Sequence, residues 1–69
     1  MDIKSQVGKR IKEIREIKDM SQKDLAYSSN IDRSYIASVE SGKRNISIIN
    51  LEKIAVALNV SLSEFFKGI

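Results

Sequence analysis

SQKDLAYSSNIDRSYIASVESG, residues 21–42, is the stretch that decides the fold. Ser21 offers an acceptor hydroxyl at the head of an apolar-periodic run and Asp24 follows three residues on, close to the spacing and chemistry of a capping box. A helix therefore starts at Gln22. Leu25 and Ala26 can face inward, and the pattern breaks over Ser28, Ser29 and Asn30. Asn takes the left-handed turn conformation more readily than other non-glycine residues, so the chain turns at Asn30 with neither proline nor glycine. Asp32 is placed to cap a second helix. Its apolar positions Ile36 and Val39 are three apart, Ile31 turns inward ahead of them, and Gly42 supplies the C-terminal cap.

Two short helices at this spacing form a helix-turn-helix, a motif that points to DNA and needs a supporting bundle. The rest of the chain supplies one. Ile3, Val7, Ile11, Ile14 and Ile17 recur at steps of three or four and predict a long amphipathic first helix, with Lys9, Arg10, Lys12, Arg15 and Lys18 on its other faces. After the loop Lys43 to Ile46, a cap at Ser47 introduces Leu51, Ile54, Ala55 and Leu58, a fourth helix that stops at Asn59. Ser61 and Glu64 form a full capping box ahead of Phe65 and Phe66, so a short fifth helix ends near Gly68. No segment alternates with a period of two, and no strand is expected. The expected fold is all-α, one five-helix domain over residues 1–69, with the motif at about 21–42 and C-terminal helices at about 47–58 and 61–68.

The chain has 69 residues, near the lower limit for a single core without disulfides or metal, so pairing of two copies would help it. It has no cysteine and no histidine, which removes disulfides, thiolate and imidazole metal ligands and the usual nucleophile and base pairs. No metal, cofactor or small-molecule ligand is expected. No apolar run approaches the roughly 20 residues that span a bilayer, and the start Met-Asp-Ile-Lys lacks the apolar core of a signal peptide. The expectation is a cytoplasmic protein with no membrane partner. Acidic residues such as Glu13, Asp24 and Glu52 are spread at spacings that suit solvated faces, and no glycine-rich phosphate loop accompanies them, so no catalytic residues are assigned.

Net charge is +3 and the pI is near 9.4, a modest excess whose distribution says more than its size. In the first helix Glu13, Glu16 and Asp19 are mixed with the cations, which marks a solvated surface. By contrast Arg33 beside Ser34 at the start of the second motif helix, and Lys43 with Arg44 just past its end, bracket the helix that would enter a groove.

From about Val7 to Phe66 the chain resembles the helix-turn-helix domains of Cro- and repressor-like regulators, the Xre family. Asp32 to Ile36, Glu40, Arg44 to Ser47 and the pair Phe65, Phe66 look most like the controller proteins of restriction–modification systems. One departure is Ser29, where many relatives place an apolar residue. The resemblance implies that the first motif helix crosses the DNA backbone while the second lies in the major groove. Arg33 then matches a base-reading position, where a guanidinium fork can bind guanine O6 and N7 together for roughly 1–3 kcal/mol of discrimination. Ser34 and Ser38 address the same groove. Backbone contacts are implied for Gln22 at the head of the first motif helix, for the Tyr35 hydroxyl and for Asn45, with Ser41 and Lys43 as further phosphate partners. Arg44 is implied to reach bases or a narrowed groove near the centre of a two-fold site. Arg15 and Glu40 match a family pair that joins the first helix to the end of the recognition helix.

The C-terminal part offers more apolar surface than the small bundle can cover, and Asn50, Leu62, Phe65 and Phe66 are the expected dimer interface. The implied function is a homodimeric, sequence-specific transcriptional regulator that binds an inverted-repeat operator in double-stranded DNA, controls its own operon and has RNA polymerase as a further candidate partner. The alternatives are a phage-type repressor or an antitoxin with the same fold, or a protein-interaction module without DNA binding.

Overall fold

The computed structural model describes residues 2–69, so Met1, part of the start considered above, lies outside the described residues. Five helices follow in chain order: α1 (Ile3–Ile17), α2 (Gln22–Ser29), α3 (Arg33–Glu40), α4 (Ile48–Ala57) and α5 (Leu62–Lys67). Among the described residues there is no strand. Asp2 opens α1 by accepting the Ser5 N–H at 2.8 Å. At α2 the box is complete, with Ser21 Oγ accepting the Asp24 N–H and the Asp24 carboxylate accepting the Ser21 N–H, both at 3.0 Å. Ser47 caps α4 through the Asn50 N–H, and Ser61 with Glu64 closes a second reciprocal box on α5.

The expectation for Asp32 is corrected. It occupies the N-cap position of α3, and its carbonyl accepts the Ile36 N–H at 3.2 Å, but its carboxylate makes no capping bond and stays exposed. Its ψ of 138° departs from the 155–167° shared by the four caps that do bond, which carries the side chain off the first-turn amides.

Four helices end in the same way. Asp19, Asn30, Gly42 and Asn59 hold positive φ of 58°, 55°, 80° and 60°. Each donates its N–H to a carbonyl three residues back, and the next residue bonds five back; Gly42 to Val39 and Lys43 to Ser38, both at 3.0 Å, are one such pair. This is the Schellman closure, built three times out of four without glycine. At Ser29 the departure from an apolar residue is absorbed locally: the hydroxyl is buried and donates to the Leu25 carbonyl at 2.6 Å.

Val7, Ile11, Ile14, Leu25, Ile36, Val39, Leu51, Ile54, Leu58 and Phe65 form one core, with α1 lying along α3, α2 against α3 and α4, and α5 against α4. The first-helix stripe is shorter than its periodicity implies, because Ile3 is 58% and Ile17 77% exposed. Ile3 sits in the first turn, at the helix end. Ile17 is three residues beyond Ile14, which undershoots a full turn by about 60° and swings it off the stripe. Gly8, buried in α1, lies against the α3 backbone so closely that an added Cβ would overlap the Val39 carbonyl oxygen. That contact sets how near α3 approaches its support.

Candidate nucleic-acid interface

The site is built around α3, whose inner side is fixed by Ile36 and Val39, at 0% and 1% exposure. Helical geometry then turns the opposite side outward, and Arg33 and Ser34 at the head of α3 are exposed while Ser38 is half-buried. The Ser38 carbonyl accepts three bonds, from Ser41 Oγ at 3.0 Å and from the Lys43 and Arg44 N–H groups at 3.0 and 3.3 Å. Those bonds fix the start of the loop that leaves α3, with Ser41, Lys43, Arg44 and Asn45 exposed along it.

Arg44 and Tyr35 come together. The Arg44 guanidinium carbon stands 4.9 Å from the centre of the Tyr35 ring, a cation–π stack that limits the directions the cation can take. The tyrosine hydroxyl accepts the Ser47 N–H at 3.4 Å and so ties α3 to the head of α4. Burial alone would raise the Tyr35 pKa, but hydrogen bonds from Asn50 and Ser47 and the Arg44 charge outweigh it and hold the hydroxyl below its ordinary value. Asn50, one of the expected dimer residues, is half-buried in the first turn of α4 and gives its backbone N–H to Ser47 Oγ at 3.1 Å.

A second cluster orients α3 from behind. Arg15 donates through Nε and Nη2 to the two carboxylate oxygens of Glu40 at 2.8 and 3.0 Å, and through Nη1 to the Met20 carbonyl at 2.8 Å. The side chains of the pair are only 10% and 4% exposed. Hydrogen bonding to Glu40 raises the Arg15 pKa against the opposing effect of burial. Gln22 completes the cluster by donating its side-chain amide to Glu40 at 3.1 Å. This qualifies the sequence expectation for Gln22: one of its amide N–H groups is committed to locking α2 onto α3, so its side chain serves orientation as well as any phosphate.

The expected dimer residues divide. Phe65 is corrected, because it is 0% exposed and belongs to the core, with its ring edge-on to Phe66 at 5.2 Å and 78°. In consecutive helical positions only one of the two rings can face inward. Phe66 is 41% exposed and Leu62 half-buried. Ile48 and Ile49 are also exposed, 68% and 67%, in the first turn of α4, where they line a hollow with Leu62 and Glu52. The sequence signal for them was two adjacent isoleucines directly after a cap, Ile49 out of phase with the inward period of α4 and Ile48, three residues before Leu51, at its edge in the first turn.

Among the described residues no group of His, Cys, Asp and Glu is gathered to hold a metal ion, and no helix is long and apolar enough to cross a membrane. A capped two-helix unit with an outward edge, seated on three further helices, defines the class. The helix-turn-helix family pattern matches residues 11–65, and the chain belongs to that family, a DNA-binding regulator rather than an enzyme. Within it the chain is similar to restriction–modification controller proteins. It is 46% identical over 69 residues to control protein C.MunI of Mycoplasma sp, covering 99% of this chain and 93% of that one. The controller protein C.AhdI from Aeromonas hydrophila superposes with a TM-score of 0.88 at 43% identity, over 91% of each chain. The controller protein C.Esp1396I, solved as a tetramer in complex with its natural 35 base-pair operator, gives 0.91 at 46% identity, over 97% of this chain and 88% of that one.

Proposed function

We propose that this chain is a homodimeric controller of a restriction–modification operon, binding an inverted-repeat operator in its own promoter. The observation that carries the reading is the exposed edge of α3, with Arg33 and Ser34 in solvent on a helix held from behind by the core and by Arg15, Glu40 and Gln22. Arg33 reads guanine, Ser34 and Ser38 line the same groove, and Arg44, directed by the Tyr35 ring, works near the two-fold centre. Ser41, Lys43, Asn45 and the head of α2 hold phosphates. Leu62, Phe66, Ile48 and Ile49 pair two copies, which sets two α3 helices about 34 Å apart for half-sites one turn apart. Response follows concentration: the dimer activates at low occupancy, through contact with RNA polymerase in the cytoplasm, and represses at higher occupancy.

The test is binding of the purified chain to duplex DNA from upstream of its own gene, with footprinting and stoichiometry. The reading requires two chains per inverted repeat and loss of binding when the repeat is scrambled. One chain per site, or equal binding to scrambled DNA, contradicts it.

A further inference from the structure

The sequence places Arg10 among the solvated cations of the first helix, yet in the structure its guanidinium is partly buried against the far end of the chain. Nε donates to the Phe65 carbonyl at 2.7 Å and Nη2 to the Glu64 carbonyl at 3.0 Å, bridging 55 and 54 positions of sequence. Nη1 stands 4.0 Å from the Glu13 carboxylate, one turn along α1. We propose that Arg10 is the positioning residue for α5 and, through α5, for the Leu62 and Phe66 face on which a second copy of the chain docks; this rests on the dimer reading above.

Helix α5 has six residues, too few to persist alone, and its last carbonyls have no partners within the helix. The Ser61 and Glu64 box closes its front end. Arg10 closes its rear, where a cation also meets the negative end of the helix dipole. The planar fork spans two successive carbonyls, which a lysine ammonium on a flexible stem does not do as a fixed unit. The Phe65 side chain is itself anchored in the core. These two attachments fix the rotation of α5 about its axis, and Leu62 and Phe66, four positions apart, share the face that results. Gly68 is fitted to the same device: an added Cβ would overlap the Arg10 guanidinium, while its φ of −86° is ordinary for any residue. Arg10, Glu13 and Gly68 line one hollow with Gln6, Lys9 and Ile69, none of them a candidate DNA contact. Dimerisation and single half-site recognition are therefore separable at Arg10.

The experiment measures the dimer dissociation constant by analytical ultracentrifugation for the full chain and for Arg10→Ala, Arg10→Lys and Gly68→Ala, with affinity for a duplex carrying one half-site as the parallel readout. Loss of two charge-assisted bonds, or displacement of the fork by the alanine methyl, weakens dimerisation about tenfold in all three variants while half-site affinity stays at the wild-type level. Gly68→Ala keeps the charge and an unstrained backbone, so it carries the test if Arg10→Ala does not fold. Wild-type dimerisation in Gly68→Ala, full rescue by Arg10→Lys, or half-site affinity falling in step with dimerisation overturns the assignment. A wild-type chain that stays monomeric on its inverted repeat overturns the dimer reading itself.

Discussion

The guanidinium of Arg15 on α1 meets both carboxylate oxygens of Glu40, the last residue of α3, at 2.8 and 3.0 Å. Since the Glu40 side chain is 4% exposed, removing its partner would leave a charge almost without water. Breaking such a buried pair from one side costs about 3–5 kcal/mol. Arg15→Ala and Glu40→Ala are each expected to lose stability of that order in urea unfolding, and the double variant to lose less than the sum. Glu40→Ala with an unchanged midpoint contradicts the orienting role.

Gly8 fixes the approach of α1 to α3. Alanine is better than glycine in a helix by about 1 kcal/mol, so on propensity alone Gly8→Ala would stabilise α1. The methyl, however, would overlap the Val39 carbonyl, a backbone atom that cannot step aside as a side-chain end can. Overpacking of this kind costs roughly 1–3 kcal/mol, and the net sign is a loss. Thermal unfolding of Gly8→Ala should show a lower Tm; a higher one would mean that α3 has room to move.

The turn at Asn30 depends on a left-handed backbone, φ 55°. Asn30→Val places a β-branched residue there and is expected to cost about 1–2 kcal/mol, whereas Asn30→Gly, free of that strain but more flexible unfolded, stays near wild type. Equal stability of the two variants would show that the turn has relaxed into another shape.

Acid sensitivity follows from the helix caps. Asp2 and Asp24 accept backbone N–H bonds that lower their pKa from 3.8, and Glu64 is lowered in the same way from 4.5. A carboxylate with a depressed folded-state pKa stabilises the fold above its unfolded value, and that contribution is lost as the pH falls through the folded one. Tm should hold steady down to about pH 5 and fall below it. Asp24→Asn removes one titrating carboxylate of this set and should flatten part of that acid limb; an identical limb in the variant contradicts the assignment.

Local signals made the helices legible. Ser21, Ser47 and Ser61 each stand where a helix begins, and Asn30, Gly42 and Asn59 where one ends, because caps and left-handed closures act within a few residues of their own position. What escaped the sequence depends on distant contacts or on helical phase. The carbonyls that Arg10 binds lie more than fifty positions away, so on α1 it looks like any solvated cation. Gly8 gives only a lone glycine in a helical pattern, a sign of close packing that does not name what is packed. In six residues of α5 the period is too short to tell Phe65, which is core, from Phe66, which is surface. Asp32 shows that a good capping residue in the right place bonds only if its ψ allows it.

The central claim is that the exposed edge of α3 reads DNA sequence. Selection of bound sites from random duplexes, run with the wild-type chain, Arg33→Ala and Lys43→Ala across a salt series, tests it most directly. Arg33→Ala should relax preference at one base position in each half-site, at a cost of about 1–3 kcal/mol, and Lys43→Ala should weaken all sequences alike and reduce the salt slope by about 1. Uniform weakening by Arg33→Ala with the base preferences intact would contradict the account.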